Sequence, residues 1–264
     1  MEWEQQPVVT EQKRQKSLFL RALVVGVQKF ARFFSRHWLF FVNGFWALLL
    51  FGALLAPTFM ALGWDGVGRV TYTIYSFTCH QLPERSFFLF GEQEALTTYG
   101  LDEVVAAGAD PSTLLTLRQY VGSPEMGWKL GFSDRMVSMY GGAFIGGLLY
   151  WLFSRRRPMA PIPGWLVFLM VLPMAVDGTT HLISEITSLG FRDTNTWAVG
   201  LFGEQPAEFY TGTTFGTLNS HLRLITGLLF GIGMMLFAYP LMGYSIEELR
   251  QTAGDAFERM KHEG

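Results

Sequence analysis

Four short clusters combine ionisable and hydrogen-bonding side chains in a chain that is otherwise half hydrophobic: Cys79-His80-Gln81 with Glu84-Arg85-Ser86, Ser133-Asp134-Arg135, Asp177-Gly178-Thr179-Thr180-His181, and Asn219-Ser220-His221-Leu222-Arg223. Asp177 and His181 share one helical face by their spacing, as do Asn219 and Arg223. His80, His181 and His221, with Asp177 or Cys79, offer ligand types suited to zinc or another divalent transition metal. Arg85, Arg135 and Arg223 can instead pair with Asp177, Asp134 and Glu84 as a buried lock between helices. The same guanidinium groups suit a carboxylate or phosphate head group, because their planar fork matches both anions. Asp177 with His181 could also act as a general acid and base, although a salt bridge along the helix is the simpler reading. Cys79 is the single cysteine, so it forms no internal disulfide and reads as a small buried residue rather than a nucleophile. None of these spacings has the specificity of a paired CxxC or an HExxH motif, and whether the chain is an enzyme stays open.

Composition decides what must hold these clusters. Of 264 residues, 50% are hydrophobic and 16% charged, which excludes disorder and disfavours a cytosolic enzyme. The formal net charge of -2 gives no basic field for nucleic acid. Residues 38–62 carry no charge and are long enough for the ~30 Å hydrocarbon layer. Further spans are expected at about 136–153, 163–186 and 222–242, and the segment 68–91 reads as a helix dipping into the membrane edge, packed against the bundle, or crossing as a fifth span. The fold class expected is therefore all-α: a polytopic membrane bundle of about four transmembrane helices plus amphipathic and re-entrant or loop helices.

Basic residues set the expected orientation. Residues 1–37 carry Lys13, Arg14, Lys16, Arg21, Lys29, Arg32 and Arg36, and Arg155-Arg156-Arg157 sit between the second and third spans, which places both regions in the cytoplasm. The domain reading is a basic N-terminal segment 1–37, a membrane domain 38–243 with outer loops 63–135 and 187–221, and a cytoplasmic tail 244–264. Phe19, Ala22, Leu23, Gly26, Phe30, Phe33 and Phe34 share a face within 15–36, which fits either an interfacial amphipathic helix or a straight extension of the first span. Pro57 is expected to kink the far end of span one, Ser133 or Asp134 to cap span two, and Asp110 to cap a loop helix over 111–121 beside another over 101–107. Gly142 with Gly146 and Gly227 with Gly231 have the small-xxx-small spacing of close helix contacts within the bundle. This topology brings all four polar clusters to the outer helix ends, where ionisable groups are costly unless paired or facing water.

The string from Cys79 to Phe88, CHQLPERSFF, followed by Arg135, Tyr140 and Gly142, by Asp177-Gly178-Thr179, and by Asn219, Arg223, Thr226 and Gly227, resembles the bacterial membrane-protein family called domain of unknown function 2085. The resemblance covers about residues 70–235 and implies a compact multi-span helical protein without an established activity. Where many relatives have Cys-x-Arg-Cys, this chain has Ser133-Asp134-Arg135-Met136, and His181 stands where the family often has Gln. The metal or redox role those thiols suggest in relatives has lost both of them here, and the expectation is that His181 partly replaces the lost ligands.

Together these readings point to an integral protein of the bacterial inner membrane with both termini cytoplasmic. Its pocket near the outer surface would contain Cys79, His80, Arg85, Arg135, Asp177, His181, Asn219 and Arg223. The leading function is binding or acting on an anionic or amphiphilic small molecule or lipid. The second is a non-enzymatic accessory or assembly subunit with membrane-protein partners and a structural polar cluster. A transporter ranks third, because inverted repeats and a midplane charge pair are absent from the sequence pattern.

Overall fold

A computed structural model describes residues 6–92, 95–155, 158–187 and 189–262. Arg156 and Arg157 of the expected basic turn lie outside the described residues, as do the side chains of Lys13, Arg14, Lys16 and Arg21. Among the described residues, four helices are long and apolar enough to cross a membrane: Ala22–Ala61, Asp134–Ser154, Gly164–Ile186 and Leu218–Thr252. The first takes in α1 (Gln6–Gly52) from Ala22 onward and α2 (Leu55–Ala61), and α3 (Asp65–Tyr75) follows it. Residues 43–239 form one compact unit, and the first 42 residues with those from Pro240 onward form another.

Pro57 explains the break between α1 and α2. Proline has no N–H to return to the carbonyl four residues back, here that of Ala53. The freed Ala53 carbonyl accepts instead from the Gly131 N–H at 3.2 Å, so the opening in the first span is where a strand docks. That strand, β4 (Gly127–Ser133), is the long member of a small antiparallel sheet in the order β2-β1-β4-β3. The others are β1 (Ser86–Leu89), β2 (Leu96–Thr97) and β3 (Gly122–Ser123). Ser86 lies opposite Ser133, and Phe88 opposite Lys129. In the β3–β4 hairpin Gly122 has φ +118°, and a Cβ there would lie 2.1 Å from the Gly127 carbonyl oxygen, so only glycine fits.

The helical reading of residues 68–91 holds through Tyr75 at the end of α3, and the sheet corrects it beyond. Pro83 opens a 3-10 turn, Pro83–Arg85, and the β-favouring run Ser86-Phe87-Phe88-Leu89 pairs with β4; the four span-length helices do not include this segment. In the same region α4 (Leu101–Ala106) forms close to where it is expected, but α5 covers only Leu114–Leu117. Its cap is Thr113, whose hydroxyl accepts from Thr116 N–H at 3.1 Å, while Asp110 binds the Ser112 N–H instead.

Beyond the sheet come α6 (Asp134–Ser154), α7 (Gly164–Ile186), the short helices α8 (Phe191–Thr194), α9 (Val199–Phe202) and α10 (Ala207–Tyr210), and α11 (Leu218–His262). The glycine pairs bring α6 and α11 to backbone contact: a Cβ at Gly142 would meet Leu228 O at 2.5 Å, and one at Gly231 would meet Met139 O at 2.2 Å. Ser138 Oγ, beside this crossing, donates to the carbonyls of Arg135 and Arg223 at 2.9 and 3.3 Å. The helix contact therefore fixes the two arginine-bearing ends against each other.

In the other unit the N-terminal segment is helical from Gln6 through residue 37, as part of α1. Phe30 and Phe34 stack there at 6.3 Å, and Phe34 and Phe41 at 5.7 Å. The chain after Pro240 is helical to His262, as part of α11.

Candidate functional site

Asp177, in the second half of α7, is 5% exposed and joins two arginines. Arg135 Nη2 donates to its Oδ2 at 2.6 Å, and Arg192 Nη2 to its Oδ1 at 2.5 Å. His181, one turn onward, places Nε2 2.9 Å from Arg192 Nη2 and 4.0 Å from Asp177 Oδ1. Because a guanidinium only donates, His181 accepts through Nε2 and carries its hydrogen on Nδ1. Buried charges persist only when paired in this way, and the pairing closes α6, α7 and α8 into one polar chain.

Arg192 joins this polar chain without belonging to any of the four sequence clusters. It is the only Lys or Arg in the aromatic segment 187–222, which was the available signal. Its placement is over-determined: its N–H donates to Ser184 Oγ at 3.1 Å, and its carbonyl accepts from Asn195 Nδ2 at 2.9 Å and Asn219 Nδ2 at 2.7 Å. Asn195 adopts φ +44°, a left-handed conformation that asparagine tolerates, and also binds Tyr210 O at 2.7 Å. Asn219 thus joins the expected group by holding Arg192's backbone rather than by presenting a free amide.

A second set forms where α6 begins. Arg223 grips Asp134 with Nε 2.9 and 2.8 Å from the two carboxylate oxygens and Nη2 2.7 Å from Oδ2, and it also donates to Thr213 O at 2.7 Å. Asp134 meanwhile accepts from the Arg135 N–H at 2.7 Å, satisfying a first-turn donor of α6, whereas Ser133 makes no side-chain cap. Arg85 Nε lies 3.7 Å from Glu84 Oε1, and Arg85 Nη2 pairs with Glu185, a partner absent from the sequence reading. Burial pushes the Glu84 carboxyl above its ordinary range, opposed by the neighbouring Arg85. Thr213 Oγ1 donates to Glu84 O at 2.8 Å, tying the segment before α11 to the 3-10 turn.

Between these sets lies a chamber of about 110 Å³, whose lining includes Cys79, His80, Arg85, Asp134, Arg135 and Arg223. Cys79 Sγ accepts from Gln81 N–H and Ser133 N–H, both at 3.3 Å, which gives the thiol a structural place in the wall. Three guanidinium groups on the chamber keep a buried N–H without a partner: Arg85 Nε, Arg135 Nε and Arg223 Nη1. Asp177 and His181 are joined to this group through Arg135 and line no part of the chamber itself. The four metal-ligand candidates do not converge as one set. His80 is exposed, His181 is engaged by Arg192, and His221 Nδ1 lies 2.8 Å from Thr217 O with its ring stacked on Phe215. Among the described residues no three His, Cys, Asp or Glu side chains group at metal-binding distance.

One buried cation stands outside both sets. Lys129 of β4 is fully buried, and its Nζ donates to Gln81 O at 2.9 Å and Arg118 O at 2.5 Å, with no carboxylate among its hydrogen-bond partners. Burial pushes its ammonium down to about 7. Gln81, at φ +54°, ties the same region together through Nε2 to Tyr72 O at 2.9 Å and Gly131 O at 3.1 Å. The alternation Trp128, Leu130, Phe132 signals this strand, and a lysine between apolar residues signals an unusual burial.

Four span-length apolar helices, with paired charge where two of them begin and in the second half of a third, define a helical membrane protein whose buried ion-pair network is its distinctive feature. The chain resembles the family described as "Predicted membrane protein (DUF2085)", which matches residues 126–237 and thereby covers Arg135, Asp177, Asn219 and Arg223 but not the Cys79–Phe88 string. It is also similar to the uncharacterized protein MJ1492 of the archaeon Methanocaldococcus jannaschii, at 26% identity over 193 residues, 71% of this chain and 81% of that protein. No solved structure matches the chain.

Proposed function

We propose that this membrane protein binds the anionic group of an amphiphile in the arginine-lined chamber, on the outer side of a cytoplasmic-type membrane with both termini in the cytoplasm. The observation that carries the reading is the set of unpartnered buried donors on Arg85, Arg135 and Arg223 around one small space. Buried N–H groups without acceptors are destabilising, and an anion's oxygens would satisfy them. Four arginines, Arg85, Arg135, Arg192 and Arg223, meet four carboxylates, Glu84, Asp134, Asp177 and Glu185. The upward shift of Glu84 tips this balance toward positive charge as pH falls. Cys79 and His80 form the wall, while Asp177, His181 and Asn219 hold the arginines in place.

The test is thermal melting of the detergent-purified full chain with dodecyl phosphate, inorganic phosphate and a dodecyl ammonium control. Stabilisation by dodecyl phosphate that saturates and weakens in Arg85→Gln is expected. Equal responses to the phosphate and the ammonium amphiphile would defeat the proposal.

A second reading is favoured by the completeness of the ion pairing: the network locks helices in an accessory subunit of a membrane complex. Its mark would be loss of a copurifying partner in variants that melt normally, with no response to anionic amphiphiles. Metal content, measured in wild type, His80→Ala and His181→Ala, separates both readings from a metal centre.

A further inference from the structure

We infer that a second, apolar cavity between α7 and α11 binds a long-chain acyl ligand whose carbonyl or carboxylate oxygen is held by Arg192 and Thr226. The cavity measures about 530 Å³, and its lining includes Leu172 and Val176 of α7, Leu222 and Thr226 of α11, and Arg192 and Trp197 from the segment that joins the two helices. That volume is in the usual range for small-molecule sites, about 300–1,000 Å³. It shares no lining residue with the arginine chamber, so the inference stands apart from the anion reading.

Four polar residues interrupt the apolar wall: Asp177, Thr180, Arg192 and Thr226. The Asp177 carboxylate is taken up by Arg135 and Arg192, and the Thr180 hydroxyl by Val176 O and Asp177 O. That leaves Arg192 and Thr226, both sealed from solvent at 4% and 5% exposure. Arg192 Nε and Thr226 Oγ1 nevertheless have no hydrogen-bond partner among the described residues. A helical threonine ordinarily returns its hydroxyl to a carbonyl one turn back, and several in this molecule do so, Thr180 to Val176 O at 2.8 Å among them. Thr226 does not. An arginine Nε–H can only donate and a threonine hydroxyl is free to donate, so the partner that satisfies both is an acceptor oxygen.

The remaining geometry fixes the rest of the ligand. Arg192 cannot swing away to find another acceptor, because its Nη2 is held by Asp177 and His181 and its carbonyl by two asparagines. Leu172, Val176 and Trp197 on the cavity wall are exposed along a span-length helix and the segment after it, so in a bilayer this wall meets acyl chains. A molecule entering from that side is lipid-soluble along its length and carries its acceptor at the inner end. A free fatty acid and an ester-linked lipid chain both meet this description.

The experiment uses the detergent-purified full chain with a diazirine-bearing fatty acid, followed by peptide mapping. Saturable labelling confined to residues 172–180, 191–197 and 222–226 is expected. Thr226→Val, which removes the donor at constant shape, should weaken it about three- to tenfold, the range for one hydrogen bond. Val176→Trp, which fills the cavity, should abolish it; Leu222→Phe provides a second filling variant should Val176→Trp melt early. Competition by unlabelled fatty acid assigns the carboxylate, and competition by a diacyl phospholipid assigns the ester. Labelling that does not saturate, spreads over all four spans and survives both Thr226→Val and a folded cavity-filling variant overturns the inference.

Discussion

Arg223 and Lys129 are both sealed from solvent, yet the bundle and the sheet satisfy them by different means. Arg223 meets a carboxylate through two of its nitrogens and a carbonyl besides. Lys129 meets two carbonyls. An arginine stays charged in proteins, so burying it requires an anion; a lysine can release its proton, so carbonyl dipoles and a lowered pKa suffice. The bundle end is therefore a region of obligatory charge pairs, and the sheet is a region whose single buried cation is conditional on pH.

The largest expected effect breaks the first region. Asp177→Asn leaves Arg135 and Arg192 without their shared counter-ion and should destabilise the protein by about 3–5 kcal/mol, the usual result of removing one partner of a buried pair. Chemical denaturation in detergent would read it, and a loss under 1 kcal/mol would show that the network is not structural. Next, Gly231→Ala forces a methyl group into Met139 O and Ala143 N and should lose about 1–3 kcal/mol by overpacking. If it melts like wild type, the α6–α11 contact is not as close as the structure has it.

The sheet's cation gives a pH signature rather than a fixed loss. Lys129 titrates near 7 when folded and near 10.5 when exposed, so between those values the unfolded chain binds more protons and stability rises with pH. The slope should approach 1.4 kcal/mol per pH unit and vanish in Lys129→Met. Melting curves across pH 6 to 10, wild type against variant, decide it; parallel curves would mean that the ammonium stays charged. The smallest effect is expected for Arg250→Gln, whose ion pair with Glu247 is exposed and should contribute no more than about 0.5 kcal/mol.

Sequence alone determined the class of molecule and which of its polar groups share a helix face. Charge-free runs of span length are set by the thickness of a bilayer, and the i,i+4 spacing of Asp177 with His181 and Asn219 with Arg223 follows from the helix itself. The glycine pairs likewise announced a close crossing, because only small residues allow helix backbones to touch. Tertiary structure decided which charge met which. Arg135 chose Asp177 over its neighbour Asp134, Asp134 chose Arg223, and Arg192 and Glu185 entered from segments that spacing could not rank. The strand over Ser86–Leu89 was decided there too, since its partner lies some forty residues away and its docking point is a carbonyl freed by Pro57. Local periodicity reports what one helix or strand presents to its surroundings. Pairing partners are fixed by where the chain returns, and that depends on the packing of all the elements together.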